Sequence, residues 1–181
     1  MSFADRPSLL RGAFVGLALL VALVAWLATR GDTDEPVAAE ETAQTRVVSA
    51  ADLGDAAALN GHPVYWAGPI AGTALELTES EGDVQVRYLE DDSEAGGESA
   101  AALTVGSYPL ADPAGAIRTL AGEPGATVRR SKDGREVVVS SENPTSAYFA
   151  SPDDSVQVEV YDPSPKRALA LALSPKVRPA G

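Results

Sequence analysis

A single histidine, three lysines and no cysteine leave this chain few routes to catalysis. Any Ser–His–acid triad would have to use His62. His62 stands between Asn60-Gly61, which reads as a helix end, and Pro63. In that setting it reads as a turn or capping residue, not as a general base. A Ser–Lys pair needs a buried lysine of lowered pKa. Lys132 in a turn, Lys166 at a helix start and Lys176 near the C-terminus all read as exposed. No nucleophile elbow, Walker A loop or G-x-G-x-x-G turn occurs. The absence of cysteine removes thiol nucleophiles, disulfides and Cys zinc sites. The pattern leans away from an enzyme, with no catalytic residue, cofactor or metal expected.

Acids are plentiful but gather in turns, where a solvated surface is their ordinary role. One catalytic class stays open as the alternative: hydrolysis at the cell envelope by two carboxylates facing one cleft. Asp91-Asp92-Ser93-Glu94 and Asp153-Asp154-Ser155 are rich in oxygen, yet neither has EF-hand spacing. Aromatic residues are scarce, and most lie in or beside strand-like runs: Tyr65, Trp66, Tyr88, Tyr108, Tyr148, Phe149 and Tyr161. Adjacent residues of a strand face opposite ways. One of Tyr65 and Trp66 must therefore leave the main core or be covered by a helix, which makes this pair the candidate contact surface. Core filling is the competing role of the aromatics as a set. Arg87 is expected to pair with Glu76 across a hairpin.

The elements that would position these residues are legible from 47 onward. Ser49, with Asp52 three residues later, opens a helix over 50–59 that Asn60-Gly61 ends. Strands follow at 64–67, 73–78, 84–89 and 101–107, the middle two joined by Ser80-Glu81-Gly82-Asp83. Asp112-Pro113 opens a second helix, and Gly122 stands where a C-cap glycine belongs. Strands at 126–131 and 136–141 flank Lys132-Asp133-Gly134, with further strands at 147–150 and 155–161. Val137-Val138-Val139 lacks polar alternation and reads as a central strand covered on both faces. Residues 164–173 fit either period, and Ser164-Pro165 favours a helix. Hairpin-linked strands with two or three helices mean an α+β domain with a largely antiparallel sheet.

The N-terminal part has a different character. Residues 12–29, GAFVGLALLVALVAWLAT, carry no charge, and at about 1.5 Å per residue they would span a bilayer core. Arg6 and Arg11 before the run, against Asp32, Asp34 and Glu35 after it, put the tail 1–11 in the cytoplasm and the rest outside. A cleaved signal peptide is the rival reading. Cutting after Ala28 or Ala25 would put Trp26 or Leu23 where a small residue belongs. Val37-Ala38-Ala39 is the better site but lies well past the apolar run. Residues 30–46 are rich in acids and lack hydrophobic period, so they read as a disordered acidic linker. The organisation expected is one N-terminal transmembrane helix, an acidic linker and an extracytoplasmic α+β domain over 47–181.

The formal net charge of -12 opposes nucleic acid as a partner. The expected partners are the bilayer, through 12–29, and an envelope or membrane protein. A regulator with a folded cytoplasmic domain does not fit a tail of eleven residues.

Four segments, PVYWAGP at 63–69, VRYL at 86–89, VGSYP at 105–109 and QVEVYDPSP at 157–165, resemble a family of uncharacterised single-pass membrane proteins from high-GC bacteria. The excess of 11 Arg over 3 Lys is compatible with such a genome. The resemblance implies the anchor-plus-domain architecture and transfers no catalytic residue. Together these readings point to a membrane-anchored extracytoplasmic module that acts through contacts rather than turnover.

Overall fold

The computed structural model describes residues 43–90, 96, 102–151, 153 and 155–181. The expected anchor at 12–29 and most of the expected linker lie outside the described residues. Among the described residues no helix is long and apolar enough to cross a membrane.

Among the described residues ten strands and three helices follow one another as β1 (Gln44–Val48), α1 (Ala50–Asn60), β2 (Tyr65–Trp66), β3 (Thr73–Ser80), β4 (Asp83–Glu90), β5 (Thr104–Pro109), α2 (Pro113–Ala121), β6 (Thr127–Arg130), β7 (Glu136–Val139), β8 (Ser146–Ser151), β9 (Val156–Tyr161), α3 (Pro165–Ala172) and β10 (Arg178–Pro179). Eight strands form one sheet in the order β1-β3-β4-β5-β9-β8-β7-β6, and β10 pairs with β2 in a second, two-stranded sheet. The pairings are antiparallel. The α+β architecture expected from the hairpin-linked order is the one observed.

Local chemistry sets the boundaries. Ser49 and Asp52 form a reciprocal capping box on α1, and Gly61, at φ 70°, closes that helix with a hydrogen bond to Ala57 O. Asp112 caps α2 by accepting the Gly115 N–H, and Pro113 takes the first turn, where a missing N–H costs nothing. Gly122 ends α2 in a right-handed conformation rather than the left-handed one its residue type suggests. In the β3–β4 hairpin both turn residues have positive φ, Glu81 at 51° and Gly82 at 88°. Two such residues give the turn whose twist matches paired strands.

Two parts differ from the sequence reading. Gln44, Thr45 and Arg46, expected in the disordered linker, begin β1 on the sheet's outer edge. They pair with β3 through Thr45–Thr78 and Arg46–Glu79. Val137–Val139 belongs to a strand next to the edge rather than a central one. Val137 and Val138 are nevertheless both buried, because α2 and α3 each pack on β7.

The register defines two unlike faces. Leu77, Val86, Val105, Val160 and Ala147 stand side by side across five strands. All are fully buried in a core that also takes in Leu53 and Ala56 of α1, Tyr65 and Trp66 of β2, and Ala172 of α3. Each buried aliphatic side chain of this kind contributes about 1.5–3 kcal/mol. The next row, on the opposite face, reads Thr78, Gln85, Gly106, Glu159, Tyr148 and Val138. Helix α2 packs on β7, β8 and β9, yet its buried Ile117 and Leu120 lie outside the main core. It therefore covers this second face.

Candidate functional site

The second face holds the most unusual chemistry of the domain. Glu159 is 4% exposed, although carboxylates are seldom buried. The Tyr108 hydroxyl donates to its Oε2 at 3.0 Å and the Tyr148 hydroxyl to its Oε1 at 3.2 Å. Asn143 Nδ2 donates to the Tyr148 hydroxyl at 3.2 Å. Burial pushes the Glu159 pKa up, and the neighbouring hydroxyls of Ser146, Tyr108 and Tyr148 pull it partly back. Burial also pushes both tyrosines up, and the Glu159 charge adds to that. The phenols thus remain donors across the physiological range. Both carboxylate oxygens are engaged, so the group works as a buried polar clasp across β5, β8 and β9.

The other interior charges are similarly engaged. Glu76, 2% exposed, sits directly across from Arg87, with Arg87 Nε 2.8 Å from its Oε1. The expected Glu76–Arg87 pair is present, and the Gly96 N–H bonds the second Glu76 oxygen. His62 sits where the sequence puts it, after α1. Its Nδ1 lies 3.1 Å from Pro63 O and its Nε2 2.7 Å from Gly82 O. Both ring nitrogens face backbone carbonyls, so the ring ties the α1–β2 connection to the hairpin turn and leaves no nitrogen for a substrate. Burial pushes the Asp83 carboxyl up, Glu81 adds to this, and His62 opposes it. Among the described residues no group of three or more His, Asp or Glu could hold a metal ion. Asp91–Glu94 and Asp154 lie outside the described residues.

Tyr65 and Trp66 are both buried, at 5% and 8% exposed, so the contact surface expected at this pair is not an exposed aromatic one. Tyr65 packs edge-on against Phe149 at 5.8 Å, and its hydroxyl donates to Ser151 Oγ at 2.9 Å. Its backbone N–H donates to Ser107 Oγ at 2.8 Å. Trp66 is covered by the Arg178 guanidinium, 5.8 Å from its ring centroid. The strand's continuation is what reaches the surface. Ala67, Pro69 and Ile70 wall a cleft of about 230 Å³, together with Leu171, Lys176 and Arg178. Tyr88 holds this wall from below: its hydroxyl accepts the Ala67 N–H at 2.7 Å and donates to Gly68 O at 3.0 Å. Burial pushes the Tyr88 pKa to about 12. Among the described residues no carboxylate lines the cleft.

The chain matches no family model, no curated protein and no solved structure.

The sequence reading missed the Glu159 clasp and the role of Arg135. Arg135 lies 4.1 Å over the Phe149 ring and donates to Val177 O at 3.2 Å, tying the start of β7 to the C-terminal segment. A signal for the clasp was present in Gly106. A glycine inside a strand marks a close approach, and here it is the approach of Tyr108.

Proposed function

We propose that this chain is a single-pass membrane protein, anchored through 12–29 with its N-terminus in the cytoplasm. On this reading the α+β domain outside acts as a non-enzymatic interaction module of the cell envelope. One observation supports it most: among the described residues the sheet ends in two edge strands with no further strand beside them, and these carry two of the exposed large hydrophobic residues. Val47 on β1 is 56% exposed, and Val128 on β6 is 42% exposed beside the exposed Arg129 and Arg130. Open edges with apolar side chains are where a partner strand or segment adds to a sheet.

Nothing in the described residues favours the hydrolase alternative. Glu159 and Glu76 are engaged internally, and the cleft beside Ala67–Ile70 has no carboxylate wall.

The test is site-specific photocrosslinking of the full chain in its native membrane. A crosslinker at position 128 or 47 is expected to capture a partner that the same group at the exposed helix position 55 does not. Equal labelling from all three positions, or none, overturns the reading. Protease accessibility in intact cells checks the orientation, and digestion of 47–181 from outside is expected.

A further inference from the structure

The cleft beside Trp66 reverses the electrostatic character of its domain. Residues 47–181 carry twenty acids against ten bases. Among the described residues the cleft nevertheless has two cations and no acid: Lys176 and Arg178 stand beside an apolar wall of Ala67, Pro69, Ile70 and Leu171. Among the described residues the ion pairs occupy other arginines, and neither Lys176 nor Arg178 takes part in one. Both are exposed.

Arg178 is also held in place. Its backbone pairs with Trp66 in the β2–β10 ladder, and its guanidinium covers the Trp66 ring. Gly68, at φ +73°, lies against this guanidinium: a Cβ there would sit at ordinary contact distance, 3.5 Å, from Arg178 Nη1. The adjacent Trp66 keeps a buried indole N–H with no acceptor among the described residues. A preorganised guanidinium and an ammonium form an anion site, and the wall beside them excludes water from one side. The volume of about 230 Å³ falls below the roughly 300–1,000 Å³ of most ligand clefts, so only a head group and its first carbons fit.

We propose that this cleft binds the anionic end of an amphiphile, a phosphate monoester or carboxylate carrying an apolar chain. Arg178 and Lys176 take the anion, and Ile70, Pro69 and Leu171 take the first carbons of the chain. This site is separate from the edge strands and stands whether or not they recruit a partner.

The test uses the full chain with Trp26→Phe, so that Trp66 alone reports by fluorescence, reconstituted in phosphatidylcholine vesicles. Hexyl phosphate is expected to change the Trp66 emission saturably, with affinity falling as salt rises. Arg178→Gln is expected to weaken it by about tenfold or more. Lys176→Gln, on an exposed side chain outside any helix or strand, is expected to weaken it in the same direction without disturbing the fold. Inorganic phosphate binding as tightly as hexyl phosphate would remove the apolar wall from the site and overturn the proposal. Hexanol binding as tightly would remove the cations and also overturn it, as would a response unchanged in both variants or no saturable response. Phosphatidic acid in the vesicles distinguishes the source. If it shifts Trp66 without added ligand, the natural ligand chemistry is a membrane lipid head. If only soluble hexyl phosphate acts, the ligand is a free amphiphile.

Discussion

The hydroxyl end of Tyr108 occupies the space that a side chain on Gly106 would fill. A Cβ built on Gly106 would lie 2.4 Å from the Tyr108 hydroxyl and 2.5 Å from Cζ. The two residues share one face of β5, and Gly106 pairs directly with Glu159 of β9. The missing side chain is what lets the phenol fold back along its own strand and donate to Glu159. Gly106→Ala is therefore expected to cost about 1–3 kcal/mol, as overpacking does. It should also separate Tyr108 from the carboxylate. A double-mutant cycle in urea checks this: the cost of Gly106→Ala should shrink when Tyr108 is already Ala. Additive costs would show that the ring does not depend on the glycine.

Glu159 gives the fold a pH dependence of definite sign. Its folded-state pKa is raised, first by burial, above the ordinary glutamate value of 4.5. The neutral form therefore favours the folded state. The associated stability is fully present below the unfolded value and is lost as pH rises through the folded-state pKa. Glu159→Gln keeps the shape and cannot ionise. Urea midpoints of wild type and variant are expected to lie close together at about pH 4. The wild type should fall progressively below the variant as pH rises. A gap that stays constant with pH would mean that Glu159 keeps one protonation state throughout.

Why the sequence showed the hairpins and not this clasp follows from Glu159 itself. Along β9, Val156, Val158 and Val160 alternate with Gln157 and Glu159, the pattern of a strand with one wet face. The alternation correctly separates the two faces. It carries no sign that α2 covers the second one, because that depends on where a distant helix returns. The Glu76–Arg87 pair was legible because both residues belong to one hairpin whose register follows from its turn. β1 was not, because an exposed edge strand needs no apolar alternation; only Val48 of its five residues is even partly covered. Tyr65 and Trp66 both belong to the buried core, and Arg178 lies over the Trp66 ring, so the alternation expected of a strand does not bring either aromatic to the surface.

Glu76 and Arg87 should behave as a unit. Glu76 is buried, and the Arg87 side chain is 19% exposed. Removing one partner leaves the other charge poorly solvated, which costs about 3 kcal/mol in buried pairs. Glu76→Gln and Arg87→Met are each expected to lose stability on that scale. The double variant should lose clearly less than the sum of the two. Equal and additive losses in denaturant titrations would mean that the two side chains do not depend on each other.

The β3–β4 turn contains a stabilisation that the chain does not use. Glu81 holds a left-handed φ of 51°, a conformation that costs most L-residues about 1–2 kcal/mol and that Asn tolerates better. Its carboxylate also raises the pKa of the half-buried Asp83 next to the turn. The strand register ends at Ser80 opposite Asp83, so the two-residue turn is set by pairing and not by the identity of residue 81. Glu81→Asn should therefore keep the register and raise stability by about 0.5–1 kcal/mol. A higher thermal midpoint with an unchanged far-ultraviolet spectrum is the expected result. Because His62 Nε2 bonds Gly82 O in the same turn, His62→Ala should lower the midpoint in either background. A Glu81→Asn variant no more stable than wild type would mean that contacts of the Glu81 side chain offset its backbone strain.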